Sequence, residues 1–394
     1  MNILVYFENP ISPTIGGTER AAANLIDELR NLGHSVFTMS KYSPIALGIS
    51  FPNAYIKHTV NILPNENLLH EDNIKYITDF LRDKAIDIII NEGGNTNDVQ
   101  LFNHKVLSTK ARIITCLHFC TLQGFGDYYY SDIPLIKTYK DVFRIIKMPY
   151  TRKKILSIFK ENYLTALKYC DAFVVLDNVF KTELSNFLNT KVFDDKIYVI
   201  PNMNSYENVE KNPMSEKENR ILYVGRLQYK TKRVDRLLKA CKILGKQLEK
   251  WQVDIVGDGP DRYYYEKMAA KLQLSNVKFY GKQQPEEFYK KAKIIALTST
   301  HESFGMTLIE GMSFGCIPIA FDSYSSVKSL IKNGKNGLLV KPFSINSYAD
   351  KLLQIMSNTS LQDEMVKQSD EILMSFSREK VSKHWEELIN KIVI

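Results

Sequence analysis

The strongest constraint on the fold is an alternation that runs almost from end to end. Short apolar runs of strand length are separated by segments with helical periodicity. In the first half the runs fall at 3–7, 35–39, 86–90, 113–119, 173–176 and 197–200, with helical patterns at 18–31 and 71–82. In the second half they fall at 220–224, 252–256, 277–280, 294–297, 317–321 and 338–340, and helical patterns at 347–356, 361–374 and 382–393 close the chain. Strands that alternate with helices imply parallel, doubly wound sheets. In such sheets ligands lie beyond the carboxyl ends of the strands. The loops that follow the strands are therefore where chemistry is expected.

A chain of 394 residues is too long for one ordinary domain, and two of about 200 residues are expected. The polar stretch 203–219 reads as a linker between a first domain at 1–202 and a second at 220–377, with a final helix at 378–394 packing back toward the first. Hydrophobic content of 44% and charged content of 24% suit a soluble globular protein. The first residues enter a strand directly, with no basic n-region, so no signal peptide is expected. No apolar run approaches the roughly 20 residues of a spanning helix. Cysteines 116, 120, 170, 241 and 316 form no CxxC pair and read as buried free thiols of a reducing cytoplasm. The net charge of +8 suits an anionic partner, a phosphate ligand or an acidic surface; by itself it does not indicate nucleic acid, which is not an expected partner.

The stretch 297–320 carries the densest chemistry. A strand is followed by a polar loop, a short helix and a second strand. Glu302 lies in the loop and Glu310 one to two turns into the helix. The backbone amides at the helix start, near Gly305, Met306 and Thr307, form an anion site. A nucleotide sugar has matching parts: hydroxyls at either end and a diphosphate between. A carboxylate in a first helical turn is also favoured by the helix dipole alone. Two cations, Arg226 and Lys232, flank the strand-to-helix loop after 220–224, suited to neutralise a diphosphate. Gly16-Gly17 follows the first strand and opens a helix that Thr18 is placed to cap; it is not a dinucleotide fingerprint. The polar loop Asn91-Glu92-Gly93-Gly94-Asn95 follows another strand. His118 ends the run 113–117, where a core histidine is the plain alternative. Residues 135–168 interleave lysines and arginines with apolar residues, a pattern shared by membrane-surface helices, ordinary packed helices and, less well, nucleic-acid patches. There is no D-x-D pair, H-x-x-x-H or Walker loop, so no metal or other cofactor is expected.

Gly16-Gly17-Thr18-Glu19-Arg20, Val224-Gly225-Arg226-Leu227 with a following lysine, Val256-Gly257-Asp258-Gly259-Pro260, the paired glutamates of 299–318 and Asn336-Gly337-Leu338-Leu339-Val340 occur in one order. Together they resemble the retaining, nucleotide-sugar-dependent glycosyltransferases of family 4. That resemblance implies a GT-B fold, two Rossmann-like parallel-sheet α/β domains facing a central cleft. It implies that Glu302 contacts hydroxyls of the transferred sugar and Glu310 those of the ribose. Ser303 and the amides of Phe304, Gly305, Met306, Thr307 and Leu308 hold the sugar and diphosphate. Arg226 and Lys232 stabilise the leaving diphosphate, although Lys230 fits the family's spacing better than Lys232. Gly16 and Gly17 approach the diphosphate, His118 faces the donor sugar, and Gly281 and Lys282 lie over the base. The implied reaction moves a hexosyl group, most commonly from a UDP-sugar, without a metal, to a glycan or lipid-linked acceptor in surface polysaccharide synthesis. The enzyme would be cytoplasmic, docked on an anionic membrane through 135–168. Two other readings remain open: an inactive GT-B partner of another transferase, and a GT-B sugar-nucleotide epimerase.

Overall fold

The structure is a computed structural model and describes residues 1–11, 16–43, 60–122 and 139–393. It resolves into two units, one of Met1–Leu122, Val142–Ser205 and Arg378–Ile394, the other of Gln123–Asp141 and Tyr206–Ser377. Each is built on its own sheet.

The first sheet contains β1 (Asn2–Phe7), β2 (Ser35–Ser40), β3 (Val60–Ile62), β4 (Ile88–Asn91), β5 (Arg112–Leu117), β6 (Ala172–Val175) and β7 (Ile197–Val199). Their order is β3-β2-β1-β4-β5-β6-β7, with every neighbouring pair parallel. The second contains β8 (Glu218–Val224), β9 (Gln252–Val256), β10 (Val277–Gly281), β11 (Ala292–Leu297), β12 (Ile317–Phe321) and β13 (Leu338–Val340). Their order is β10-β9-β8-β11-β12-β13, again all parallel. Both sheets therefore reverse their winding beside the first strand, and each gains a topological switch point there, between β1 and β4 and between β8 and β11.

Burial explains the apolar runs. Ile3, Val5, Ile88, Ile90, Ile114 and Val174 pack against Leu25, Ile26 and Leu29 of the helix Gly17–Asn31. Val381, Trp385, Leu388 and Ile389 of the helix Arg378–Val393 enter the same core. Those four sit on one helical stripe, which is why the end of the chain belongs to the first unit. In the second unit Ile221, Tyr223, Val253, Ile255, Ile294 and Ile319 pack against Val234, Leu237, Leu238, Tyr348 and Leu352.

Several expectations shift. The short strand Val60–Ile62 lies at the sheet edge, and three residues are too few to show a period. The helix expected to be capped by Thr18 starts at Gly17, so Thr18 lies inside its first turn. The stretch 203–219 is not a linker throughout. Met214 is buried in the second core, and β8 starts at Glu218. Lys217 is buried as well, donating from Nζ to the carbonyls of Tyr289, Lys290 and Ala292 at 2.9, 3.0 and 2.9 Å. Burial lowers its pKa. All five cysteines are free, four of them buried and Cys120 partly so. Burial pushes Cys120, Cys170 and Cys241 up to about 12 and Cys316 up to about 11, which keeps these thiols protonated and unreactive.

Lys217→Met keeps the side chain's length and removes three donors from buried carbonyls. Urea unfolding should show a loss of roughly 1–3 kcal/mol, the cost of unsatisfied buried acceptors.

Candidate active site

In the second unit the loops after β8 and β11 are joined at the switch point. Thr300 N donates to Thr231 O at 2.8 Å, and Thr298 Oγ1 donates to Arg233 O at 3.0 Å. Arg236, buried on the helix Val234–Leu244, donates to Thr298 O at 3.2 Å while its guanidinium lies 4.0 Å from the Phe343 ring centroid. Arg236 thus holds the segment that carries Glu302.

On this frame Lys232 Nζ meets both carboxylate oxygens of Glu302 at 2.7 Å. Ser299 donates to Glu302 Oε1 at 2.5 Å. The carboxylate is buried and the ammonium partly exposed, so the pair resists screening more than a surface pair does. Tyr223 and Tyr324 lie close enough that burial first, and the Glu302 charge second, push both phenols far above their ordinary range. The geometry favours Lys232 as the cation at Glu302, while Lys230 is exposed. Arg226 is exposed on the same loop. Glu310 is fully buried, its carboxylate accepting from Tyr289 Oη at 3.0 Å.

The helix Met306–Ser313 begins behind Gly305, which has φ +93. A Cβ there would lie 2.8 Å from the Tyr324 hydroxyl. One expected donor is corrected: the Leu308 amide is taken by Gly305 O at 2.9 Å, a 3₁₀-type contact that tightens the first turn. Phe304 is a core residue, edge-on to Phe376. Ser303 and Thr307 are partly exposed and Met306 is buried. The glycines after β8 and β9 have a packing origin. Gly257, at φ +140, would place a Cβ 1.9 Å from Gly225 O. Gly257 N also donates to Gly281 O at 2.8 Å, so these loops stack backbone on backbone. Lys282 follows, exposed.

In the first unit Gly16 precedes the helix Gly17–Asn31 in extended conformation and Gly17 is exposed. His118, just past β5, is buried and paired through Nε2 with Glu92. Glu19 is buried near His118; burial raises its carboxyl above the ordinary range, opposed by its own backbone amide, Asn9 and His118. Sequence reasoning missed Ser299, Arg236 and the Glu92 pairing. The spacing Ser299 to Glu302, three residues within a tight loop, was a signal for the first; the other two arise across strands.

Residues 204–371 match the family model "Glycosyl transferases group 1". The chain is similar over 95% of its length, at 24% identity, to an amylovoran biosynthesis glycosyltransferase of Erwinia amylovora, 96% of which is covered. It is 30% identical over 57% of its length to an α-1,4-N-acetyl-D-galactosaminyltransferase of Campylobacter jejuni, acting on a diphospho-undecaprenol-linked glycan by name; 61% of that protein is spanned. Among solved structures it resembles lipopolysaccharide outer core galactosyltransferase WaaB with a TM-score of 0.70, at 20% identity and 99% coverage of both chains. The fold is thus that of the GT-B glycosyltransferases. The family match, to the group 1 glycosyltransferases, a family of transferases, falls almost entirely in the second unit.

Gly257→Ala forces a side chain into the Gly225 carbonyl at an unfavourable φ. A loss of at least about 3 kcal/mol is expected, seen as a lowered thermal midpoint.

Proposed function

We propose that the chain is a retaining hexosyltransferase of family 4, using a nucleoside diphosphate sugar, uridine diphosphate by preference. The reading rests chiefly on Lys232, Glu302 and Ser299 meeting at the switch point of the second sheet. A carboxylate already engaged by a cation and a hydroxyl is suited to hold sugar hydroxyls and is a poor nucleophile. Lys232 and Arg226 supply charge for a leaving diphosphate, whose stabilisation is the electrostatic part of the reaction. In the balanced step the bond from the anomeric carbon to the phosphate oxygen breaks. The acceptor oxygen bonds to that carbon on the same face, and its proton passes to the departing phosphate. Gly16, Gly17 and His118 keep the roles toward diphosphate and sugar that the resemblance implies. So do Glu310 toward the ribose, Ser303 and the amides of Phe304, Gly305, Met306 and Thr307 toward the sugar phosphate, and Gly281 and Lys282 toward the base. No metal is assigned a part. The acceptor class follows the relatives: their names point to a surface polysaccharide or a polyprenyl-diphosphate-linked glycan.

Transfer from a panel of UDP-sugars to such acceptors tests the reading. Arg226→Ala and Glu302→Ala should each lower turnover by about 100-fold or more, Arg226→Ala at an unchanged thermal midpoint and Glu302→Ala at a lowered one because its buried pair is broken, and EDTA should not alter the wild-type rate. Undiminished turnover in both variants overturns the assignment; epimerised donor without transfer favours the epimerase reading.

The basic segment supports a membrane partner only in part. Positions 135–138 lie outside the described residues. The helix Tyr139–Tyr169 carries Tyr163, Ala166 and Leu167 fully into the first core, so its last third is ordinary packing. Its earlier part leaves Phe143 59%, Ile146 67% and Tyr150 76% exposed, beside Lys147, Arg152, Lys153 and Lys154. Apolar residues at i, i+3 and i+7 flanked by cations match an anionic bilayer surface. No helix among the described residues is long and apolar enough to cross a membrane. The affinity for vesicles containing anionic lipid, read by co-sedimentation, should fall by about 100-fold or more when Arg152, Lys153 and Lys154 become Glu, at about 1 kcal/mol per charge; equal binding refutes the docking.

A further inference from the structure

The pairing of His118 with Glu92 has no place in the assignments above. β4 and β5 are neighbours, with Asn91 opposite Thr115, so the loops leaving them emerge side by side. Glu92 N donates to Tyr6 O at 3.0 Å. Asn91 Oδ1 accepts from Gly93 N at 3.0 Å. Gly94 N donates to Cys116 O at 2.9 Å, and any side chain at Gly94 would press on that carbonyl at 2.6 Å. The Glu92 backbone is therefore held from both sides.

Its carboxylate, 1% exposed, meets Nε2 of His118, itself 6% exposed. The Cys116 thiol also lies against it; burial, then the Glu92 charge, hold that thiol well above its ordinary range. Among the described residues no group bonds His118 Nδ1 or Glu92 Oε1, and both atoms are buried. A pair kept for packing alone would be replaceable by apolar side chains at little cost, and would not leave buried polar atoms without partners.

We propose that Glu92 is a positioning residue that holds the proton of His118 on Nε2 and presents Nδ1 as the atom that meets the sugar. This rests on the sugar-facing role proposed for His118. A carboxylate accepts only, so the nitrogen facing it carries the hydrogen, and the ring plane is set by the same bond. In the neutral ring Nδ1 is then an acceptor, fitted to a sugar hydroxyl and not to a bare carbonyl. Glu92 touches the substrate only through the imidazole.

Long-range ¹⁵N–¹H spectra of histidine-labelled protein, without substrate, report the tautomer directly, with the His118 signals assigned by their loss in His118→Gln. The proposal expects Nε2–H at His118 in the wild type. An Nδ1–H signal there overturns it, whether or not any variant folds. Glu92→Gln can turn its amide N–H toward Nε2 and should switch the ring to Nδ1–H. It should lower kcat about 10–100-fold at an unchanged thermal midpoint, with little change in KM. In the His118→Gln background the same substitution should cost nothing further; an equal loss there shows a merely structural role and overturns the proposal. The tautomer is read without turnover. Failure of glycosyl transfer with an Nε2–H ring refutes the enzyme reading, while transfer with an Nδ1–H ring refutes only the part assigned to Glu92.

Discussion

The ion pair between Lys232 and Glu302 is the interaction on which the second unit's site depends. A buried carboxylate is costly unless a cation and hydrogen bonds answer it, and here Lys232 and Ser299 do so at 2.7 and 2.5 Å. For the pair to form, two loops far apart in the chain must meet. The bonds from Thr300 to Thr231 and from Arg236 to Thr298 bring them together. The backbone contact of Gly257 with Gly225 packs the neighbouring loops without side chains between them. Charge, loop geometry and glycine content at this sheet edge are one requirement seen three ways.

The same strand order serves both units, and polar groups gather where it reverses. In the second sheet these are Lys232 and Glu302; in the first, Glu19, Glu92 and His118 cluster after β1, β4 and β5. Parallel strands direct their carboxyl ends one way, so loops from different parts of the chain converge there. The first unit holds its carboxylates differently. Glu92 is paired to a histidine, and Glu19 is held above its ordinary range by burial.

Much of the fold was legible because buried parallel strands are nearly continuous apolar runs, and helices beside them show one apolar stripe. Glu302 and Lys232 were legible because their loops follow strands and carry charge. Lys217 was misread inside a polar stretch: composition cannot show that one lysine turns inward to three carbonyls. Glu310 reads in sequence like Glu302, yet the helix faces it inward onto Tyr289. The basic helix was legible only as open alternatives, since cations along its whole length conceal a final third whose apolar face is core.

The sequence by itself determined the class of architecture, the strand-end position of the chemistry and the identity of the charged residues. Those follow from short-range periodicity and from local turn chemistry. Only the tertiary structure decided which groups pair: Lys232 with Glu302, Ser299 beneath it, Glu92 with His118. Each partnership except that of Ser299 joins residues on different strand-end loops, and sheet register, not spacing along the chain, sets which of those loops become neighbours.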